Sequence, residues 1–366
     1  MRGSYRDKGV IMKILVINSG SSSIKFKFFQ MPAERLIEKG SLEHIGEKGS
    51  KFANHYSGLR IILDKINSVQ AVGHRVVHGA EKFKKPVVVD RGVIKGIKKC
   101  CAIAPLHNPA NLSGILACQK LLPGVKQVAV FDTAFHQSIP AYAYIYGLPY
   151  DYYQRLGIRK YGFHGTSHQY VSLEAGRILK KPLNKLKLIT CHLGNGCSIT
   201  AIDKGRSIDT SMGFTPLEGL VMGTRCGDID PALITHIMRK KKLDIKQMEL
   251  ILNKESGLKG ISGISNDMRS LEAKAKAGNQ RARLAIDIFV YRIRKYIGAY
   301  LSVLGGLDAL IFTAGIGENQ AGIRKKICKG LFGCLEKPVK IMVIPTDEEL
   351  MIARQTYKLI KGRIRC

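Results

Sequence analysis

The chain has 366 residues, 45% of them apolar and 24% charged, proportions that predict a folded globular protein of about two domains and exclude a disordered or low-complexity one. No run reaches the roughly eighteen apolar residues of a transmembrane helix, and the nine cysteines show no Cys-x-x-Cys spacing, which argues against a disulfide framework or a structural zinc site and for reduced thiols in the cytoplasm. The net charge of +31 comes from short basic clusters at Lys82 to Lys85, Lys95 to Lys99, Lys180 to Lys187, Arg239 to Lys242 and Lys358 to Arg365, with no interleaved aromatics; these read as solvated faces that attract anionic substrates, with no nucleic-acid partner and no membrane.

The stretch before Met12 is polar and irregular, and it is left out of the fold reading. Val10 to Ile17 is too short for most signal cores, contains Lys13 and runs into a Gly/Ser turn, so it predicts a buried first strand. That strand (Ile14 to Ile17), the turn Asn18-Ser19-Gly20-Ser21 and a returning strand alternating at Ile24, Phe26 and Phe28 form one unit. Lys187 to Ile202 repeats the plan. Aligning Gly20 with Gly194 also aligns Asn18 with His192, which suggests an internal duplication. Cys100 and Cys101 are adjacent, a pair better read as small buried or surface residues than as a redox device. Further on, helical periodicity puts Phe289, Ile293, Ile297, Tyr300, Leu301 and Leu304 on one apolar face ended by Gly305-Gly306. A strand (Ala309 to Thr313), a turn (Ala314 to Asn319), a last strand (Ile341 to Ile344) and a helix from about Glu348 to Lys361 complete the reading; acidic residues open that helix and basic ones close it.

Three strand-to-turn junctions are rich in Gly, Ser and Asn: Asn18 to Lys25, His192 to Gly196, and Gly315 to Asn319. Small residues let backbone N–H groups approach phosphate oxygens, while serine hydroxyls and Lys25 add donors and charge. None matches the Walker A spacing or the dinucleotide G-x-G-x-x-G pattern, and each alone is an ordinary tight turn. Their order among other segments is more specific. Asn18 to Ser23, Val72-Gly73-His74-Arg75-Val76-Val77-His78-Gly79, Ala104-Pro105-Leu106-His107-Asn108-Pro109, Val130-Phe131-Asp132-Thr133-Ala134-Phe135-His136, Tyr161 to His168, His192 to Gly196, Gly223-Thr224-Arg225-Cys226-Gly227-Asp228 and Gly315 to Asn319 closely resemble the acetate kinase family, over essentially the whole chain after Met12.

That resemblance implies an α/β fold of duplicated actin-like (ribonuclease H-like) domains with an interdomain nucleotide cleft. The boundaries expected are 12–160 plus 348–366 for one domain and 161–347 for the other. It implies reversible phosphoryl transfer from ATP to acetate, giving acetyl phosphate and ADP, with Mg2+ (or Mn2+) and a homodimer. A carboxylate acceptor needs no strong general base, so neutralisation and alignment of two anions should carry the rate. By resemblance Arg75 and Arg225 bind the carboxylate and the transferring phosphoryl group, His164 stabilises the transition state, and Asp132 is the active-site carboxylate, either orienting an arginine or contacting hydrated magnesium. Asn18 and Glu348 match the metal positions. Ser21, Ser23, Lys25, His192, Leu193, Gly194, Asn195, Gly196, Asp267, Met268, Arg269, Gly315, Ile316, Gly317, Glu318 and Asn319 match the nucleotide positions. Val77, Leu106, Phe163 and Pro216 match residues around the substrate methyl group, although one methylene discriminates by only about 1–3 kcal/mol and leaves acetate against propionate open.

The chain departs from the family in two shortened stretches, between Leu42 and Ala71 and between Ile327 and Val339. Asp347 also stands where relatives often carry Asn, adding negative charge beside Glu348. The competing readings are the same chemistry on propionate or butyrate, and a non-catalytic nucleotide-dependent or nucleic-acid binding protein. The intact set of Arg75, Asp132, His164 and Arg225 speaks against the last.

Overall fold

The first strand is apolar because both of its faces are covered. In the computed structural model, which describes residues 10–333, 335 and 337–364, β1 (Met12–Ser19) turns Ile14 and Val16 into one core cluster and Leu15 and Ile17 into another. β2 (Ile24–Met31) returns antiparallel to it, with Ser19 opposite Ile24, and β3 (Arg35–Leu42) extends the meander. On the other edge of β1 lies β4 (Ala71–Val76), in parallel. The two-residue β5 (Val87–Val88) pairs antiparallel with β6 (Lys126–Phe131), which itself runs parallel to β4. The order is β3-β2-β1-β4-β6-β5.

One face of this sheet is covered by the helix Glu348–Ile364, whose Ile352, Ala353, Tyr357 and Ile360 pack with Ile14, Val16, Phe29 and Val128. The other is covered from the helices His55–Lys65 and Asn108–Leu121, through Leu59, Ile62, Ala117 and Cys118. Each fully buried aliphatic side chain contributes about 1.5–3 kcal/mol. The helix Glu348–Ile364 lies so close that a Cβ at position 73 would come within 2.6 Å of Thr356 Oγ1 and 2.7 Å of Ile352, so β4 carries Gly73 there.

The second sheet repeats the plan. β7 (Lys187–Leu193), β8 (Cys197–Asp203) and β9 (Arg206–Thr210) form an antiparallel meander, and β10 (Ala309–Thr313) and β11 (Lys340–Val343) add in parallel on the far edge of β7, in the order β11-β10-β7-β8-β9. The hairpins β1–β2 and β7–β8 are the two copies that the alignment of Gly20 with Gly194 predicts. The helix Gln280–Leu304 buries Phe289, Ile293, Ile297, Tyr300 and Leu304 and ends on Gly305 in the left-handed region (φ 58°). The segment expected as a turn at Ala314 to Asn319 is instead a six-residue helix. Its own Glu318 accepts from Ala314 N (2.8 Å) and from Thr313 Oγ1, satisfying donors at the helix start that a Gly-rich sequence would otherwise leave open.

By contacts the chain divides into two units, the described residues up to Phe135 with those from Asp347 onward, and His136–Thr346. Residues 136–160 group with the second. Ser138 Oγ donates to Ser207 O (2.8 Å), Lys160 Nζ donates to Thr210 O (3.0 Å), and just beyond, Tyr161 N donates to Gly213 O (3.1 Å). Among the described residues, no helix is long and apolar enough to cross a membrane.

Candidate active site

In the first unit the carboxyl ends of β1, β4 and β6 bring Asn18, Arg75 and Asp132 together, the end of a parallel sheet where ligands characteristically bind. Arg75 Nη2 donates to Asp132 Oδ2 (2.5 Å), and Arg75 Nη1 lies 3.4 Å from Asn18 Oδ1. The helix that begins at Glu348 completes the cluster, with Glu348 Oε2 3.5 Å from Arg75 Nε. Burial would lower the pKa of Arg75, but Asp132 and Glu348 outweigh it and hold the guanidinium firmly protonated. Burial pushes Glu348 up to about 7, against the pull of Arg75 and with the repulsion of Asp132.

One guanidinium thus faces two carboxylates and an amide oxygen. This all-oxygen set fits a hard divalent cation that completes its shell with phosphate and water. Among the described residues no group of three or more His, Cys, Asp or Glu could hold a metal on protein ligands alone. The charge of Asp347 beside Glu348 is countered within the fold, because Lys27 Nζ lies 2.8 Å from Asp347 Oδ1 and 3.3 Å from Glu349 Oε2. The shortened stretch before β11 lies partly outside the described residues.

The turn after β1 closes through Gly20 N donating to Ser23 O (2.8 Å), with Ser21 and Lys25 exposed. Of the expected methyl-contact residues in this unit, Val77 is buried and Leu106 is 67% exposed. Sequence reading did not single out Asn111 or assign a role to Asn108. Asn111 Nδ2 donates to Ser19 O (2.7 Å) while its Oδ1 accepts from Val77 N (3.0 Å), tying the ends of β1 and β4; Asn108 clasps His78 in the same way. The available signal was two buried-type Asn at one-turn spacing just after Pro105-Leu106-His107.

In the second unit His164 precedes the helix Gly165–Leu179 in a left-handed conformation (φ 57°). Its Nδ1 lies 2.9 Å from Ser198 Oγ, and its ring stacks on His192 at 4.1 Å between centroids. His192 Nδ1 is in turn 2.8 Å from Ser167 Oγ. A Cβ at Gly196, at the tip of the β7–β8 hairpin, would stand 3.3 Å from Arg225 Nη1 and 3.5 Å from His164 Nε2, so both groups flank this glycine.

Arg225 Nη1 reaches only Pro216 O (3.4 Å) and Met222 Sδ (3.8 Å), and it has no carboxylate partner among the described residues. Burial pulls its pKa down. A cation drawn out of water with such weak acceptors is primed for an arriving anion. Phe163 is buried, and Pro216 is half-buried.

The three segments expected to hold nucleotide meet in this unit around one cavity of about 440 Å³, lined from Gly194-Asn195, Asn266 to Arg269, Gly315-Ile316 and Asn319-Gln320. Asp267 caps the helix Met268–Lys276 and pairs with Arg269 (2.7 Å), whose hydrogen bonds hold its carboxyl below the ordinary range. His192, Leu193, Gly196, Gly317 and Glu318 do not line the cavity. Leu193 is wholly buried, and Glu318 is engaged at the helix start and with Thr346 N.

Duplicated actin-like sheets of this kind define a phosphotransferase of the kinase class. The chain belongs to the acetokinase family, whose sequence profile matches residues 13–335. It is 50% identical over 398 aligned residues, covering 96% of this chain and all of the relative, to a protein named acetate kinase from Halothermothrix orenii. Among solved structures it matches Porphyromonas gingivalis acetate kinase with a TM-score of 0.90 at 43% identity, covering 95% of this chain and 100% of the other. It also matches a propionate kinase from Francisella tularensis with a TM-score of 0.89 at 42% identity, covering 95% and 99%.

Proposed function

We propose that this chain transfers a phosphoryl group reversibly between ATP and acetate, with acetyl phosphate as the acylated product. The observation that carries the reading is Arg225, a half-buried guanidinium with no carboxylate partner among the described residues, set beside His164 at the glycine of a phosphate-type hairpin. The acceptor carboxylate is ionised at neutral pH, so no residue has to remove a proton from it. What the chemistry demands is charge neutralisation along the line of transfer, which planar bidentate guanidinium groups supply well.

In the second unit Arg225 and a His164 donor serve the equatorial phosphoryl oxygens, and its cavity takes the nucleotide through Gly194, Asn195, Asp267 to Arg269, Gly315, Ile316 and Asn319. The first unit contributes Arg75 for the carboxylate, with Asp132 fixing the guanidinium. Asn18 and Glu348 would hold Mg2+ (or Mn2+), which supplies neutralisation of the nucleotide phosphates. The serines and Lys25 of the turn after β1 fit the phosphate end of the nucleotide.

A homodimer and a cytoplasmic setting belong to the same proposal. The helix Ala232–Lys241 has no buried residue although it carries Leu233, Ile234, Ile237 and Met238, an apolar side that a second copy would cover. The seven described cysteines are free thiols, as a reducing compartment keeps them.

The test is a hydroxylamine trap with ATP, Mg2+ and a panel of acetate, propionate and butyrate. Acyl hydroxamate with the highest kcat/KM for acetate is expected. No hydroxamate from any acid would end the proposal, and a clear preference for propionate would move it to the substrate named for the Francisella neighbour.

A further inference from the structure

His164 Nδ1 faces the hydroxyl of Ser198, and behind that hydroxyl stands a second imidazole. His168 Nε2 lies 2.7 Å from the same Ser198 Oγ, and its Nδ1 lies 2.7 Å from Thr190 Oγ1. Ser198, His168 and Thr190 are all completely buried. Four groups on β7, β8 and the helix Gly165–Leu179 therefore form an unbroken line, Thr190, His168, Ser198, His164, and no element in it is a carboxylate.

With both imidazoles neutral and Ser198 donating within the line, two proton arrangements are possible, because each neutral imidazole carries one N–H and each hydroxyl one proton; a Ser198 that accepted from both rings would leave its own buried proton outside the line. Burial, and then the neighbouring His136 and His192, hold His168 well below its ordinary pKa, so it stays neutral. In the first arrangement Thr190 donates to His168 Nδ1, His168 Nε2–H donates to Ser198, and Ser198 donates to His164 Nδ1. His164 then carries its proton on Nε2.

In the reverse arrangement every proton points the other way, and His164 presents a bare Nε2 lone pair. That arrangement also strands the hydroxyl proton of Thr190, which among the described residues has no acceptor other than His168. A buried donor without an acceptor is the costlier choice.

We propose that Ser198 and His168 are positioning residues that lock His164 in the Nε2–H tautomer, so that a neutral imidazole presents a hydrogen-bond donor on the side shared with Arg225. This rests on the assignment of His164 to the phosphoryl-transfer site. The Nε2 edge of His164 and Arg225 Nη1 flank the same glycine, 3.5 and 3.3 Å from the position a Cβ would take, so the donor and the guanidinium face one spot. A developing oxyanion there needs a donor already in place, and a lone pair would repel it. The line through Ser198 supplies that donor.

The experiment reads the tautomer directly, by 15N NMR of the full chain labelled at histidine nitrogens, with His164→Gln to identify the His164 signals. In the unsubstituted protein an unprotonated Nδ1 and a protonated Nε2 are expected for His164. An Nδ1–H tautomer there overturns the proposal. His168→Gln and His168→Asn then separate position from volume, because a Gln amide can still donate toward Ser198 from about the place of Nε2, whereas the shorter Asn reaches only that of Nδ1.

The Gln variant should keep the Nε2–H form and near-normal turnover. The Asn variant, and Ser198→Ala independently, should lose it and drop kcat by roughly tenfold to a hundredfold at nearly constant KM for acetate. Should His168→Asn not fold, Ser198→Ala and the unsubstituted spectrum decide the matter. Unchanged tautomer and kcat in the folded variants refutes the lock. Failure of the functional reading would show separately, as no acyl hydroxamate from the unsubstituted protein.

Discussion

Acid should destabilise this protein by an amount set by three of its histidines. His74, His78 and His136 are all but completely buried, and burial lowers each pKa from 6.5 to about 4. The unfolded chain therefore takes up protons that the folded chain refuses, and stability falls as pH drops below 6.5. Going from pH 7.5 to 5, each such group costs about 2 kcal/mol, and the three together about 6. His168 acts in the same direction.

Glu348 works the other way. Its folded pKa is raised to about 7, so the folded state holds the extra proton, and stability rises as pH falls from 7 toward 4.5. Over the same interval it returns about 2 kcal/mol, so these four groups leave a net loss of about 4, to which His168 adds. Urea unfolding followed by circular dichroism at the two pH values measures this. In Glu348→Gln the compensation is gone, and the loss should grow to about 6 kcal/mol. Equal stability at both pH values, or a smaller loss in the variant, would show that these side chains are not desolvated as described.

Arg225→Ala and Arg75→Ala should each cut turnover at least about a hundredfold with an unchanged circular dichroism spectrum, the scale for losing one preorganised charge-stabilising group; near-normal rates in both would remove the site. Gly196→Val adds bulk where even a Cβ already meets Arg225 and His164 at 3.3 and 3.5 Å, so turnover should drop at least about tenfold, and wild-type kinetics would mean neither group is in use. Asn111→Ala leaves Val77 N and Ser19 O without their side-chain partner inside the protein, and urea titration should find it about 2–4 kcal/mol less stable. Leu233→Asp, at an exposed apolar position of the helix Ala232–Lys241, should turn a dimer into a monomer in sedimentation velocity; an unchanged sedimentation coefficient would place any dimer contact elsewhere.

What could be read from the sequence was local or repeated. The apolar run Ile14 to Ile17, the alternation at Ile24, Phe26 and Phe28, and the face of Phe289 to Leu304 each declare themselves within a few turns of chain, and the hairpin at Gly194 copies the one at Gly20. Arg75, Asp132, Asn18 and Glu348 were named through motifs, and in the fold the last three each lie within 3.5 Å of the Arg75 guanidinium. What stayed hidden depended on distant partners. Lys27 answers the charge of Asp347 from 320 positions away. Residues 136–160 group with the second unit because of acceptors near residues 207 to 213. The helix at Ala314–Asn319 depends on a carboxylate folding back onto its own first turn, which composition alone reads as a Gly-rich bend. His168 stood at the end of a motif segment and Ser198 in the repeated hairpin, but nothing in the sequence assigned a role to either.

The helix Glu348–Ile364 carries both Glu348 and the apolar side that seals one face of the first sheet. During synthesis β1, β2 and β4 emerge early yet must wait, one side bare, while all of His136–Thr346 is made and can fold. The carboxylate beside Arg75 arrives in the same event that closes this core. Assembly of the hydrophobic layer and completion of the charged cluster around Arg75 are therefore one step, and a nascent chain stopped short of this helix would lack both.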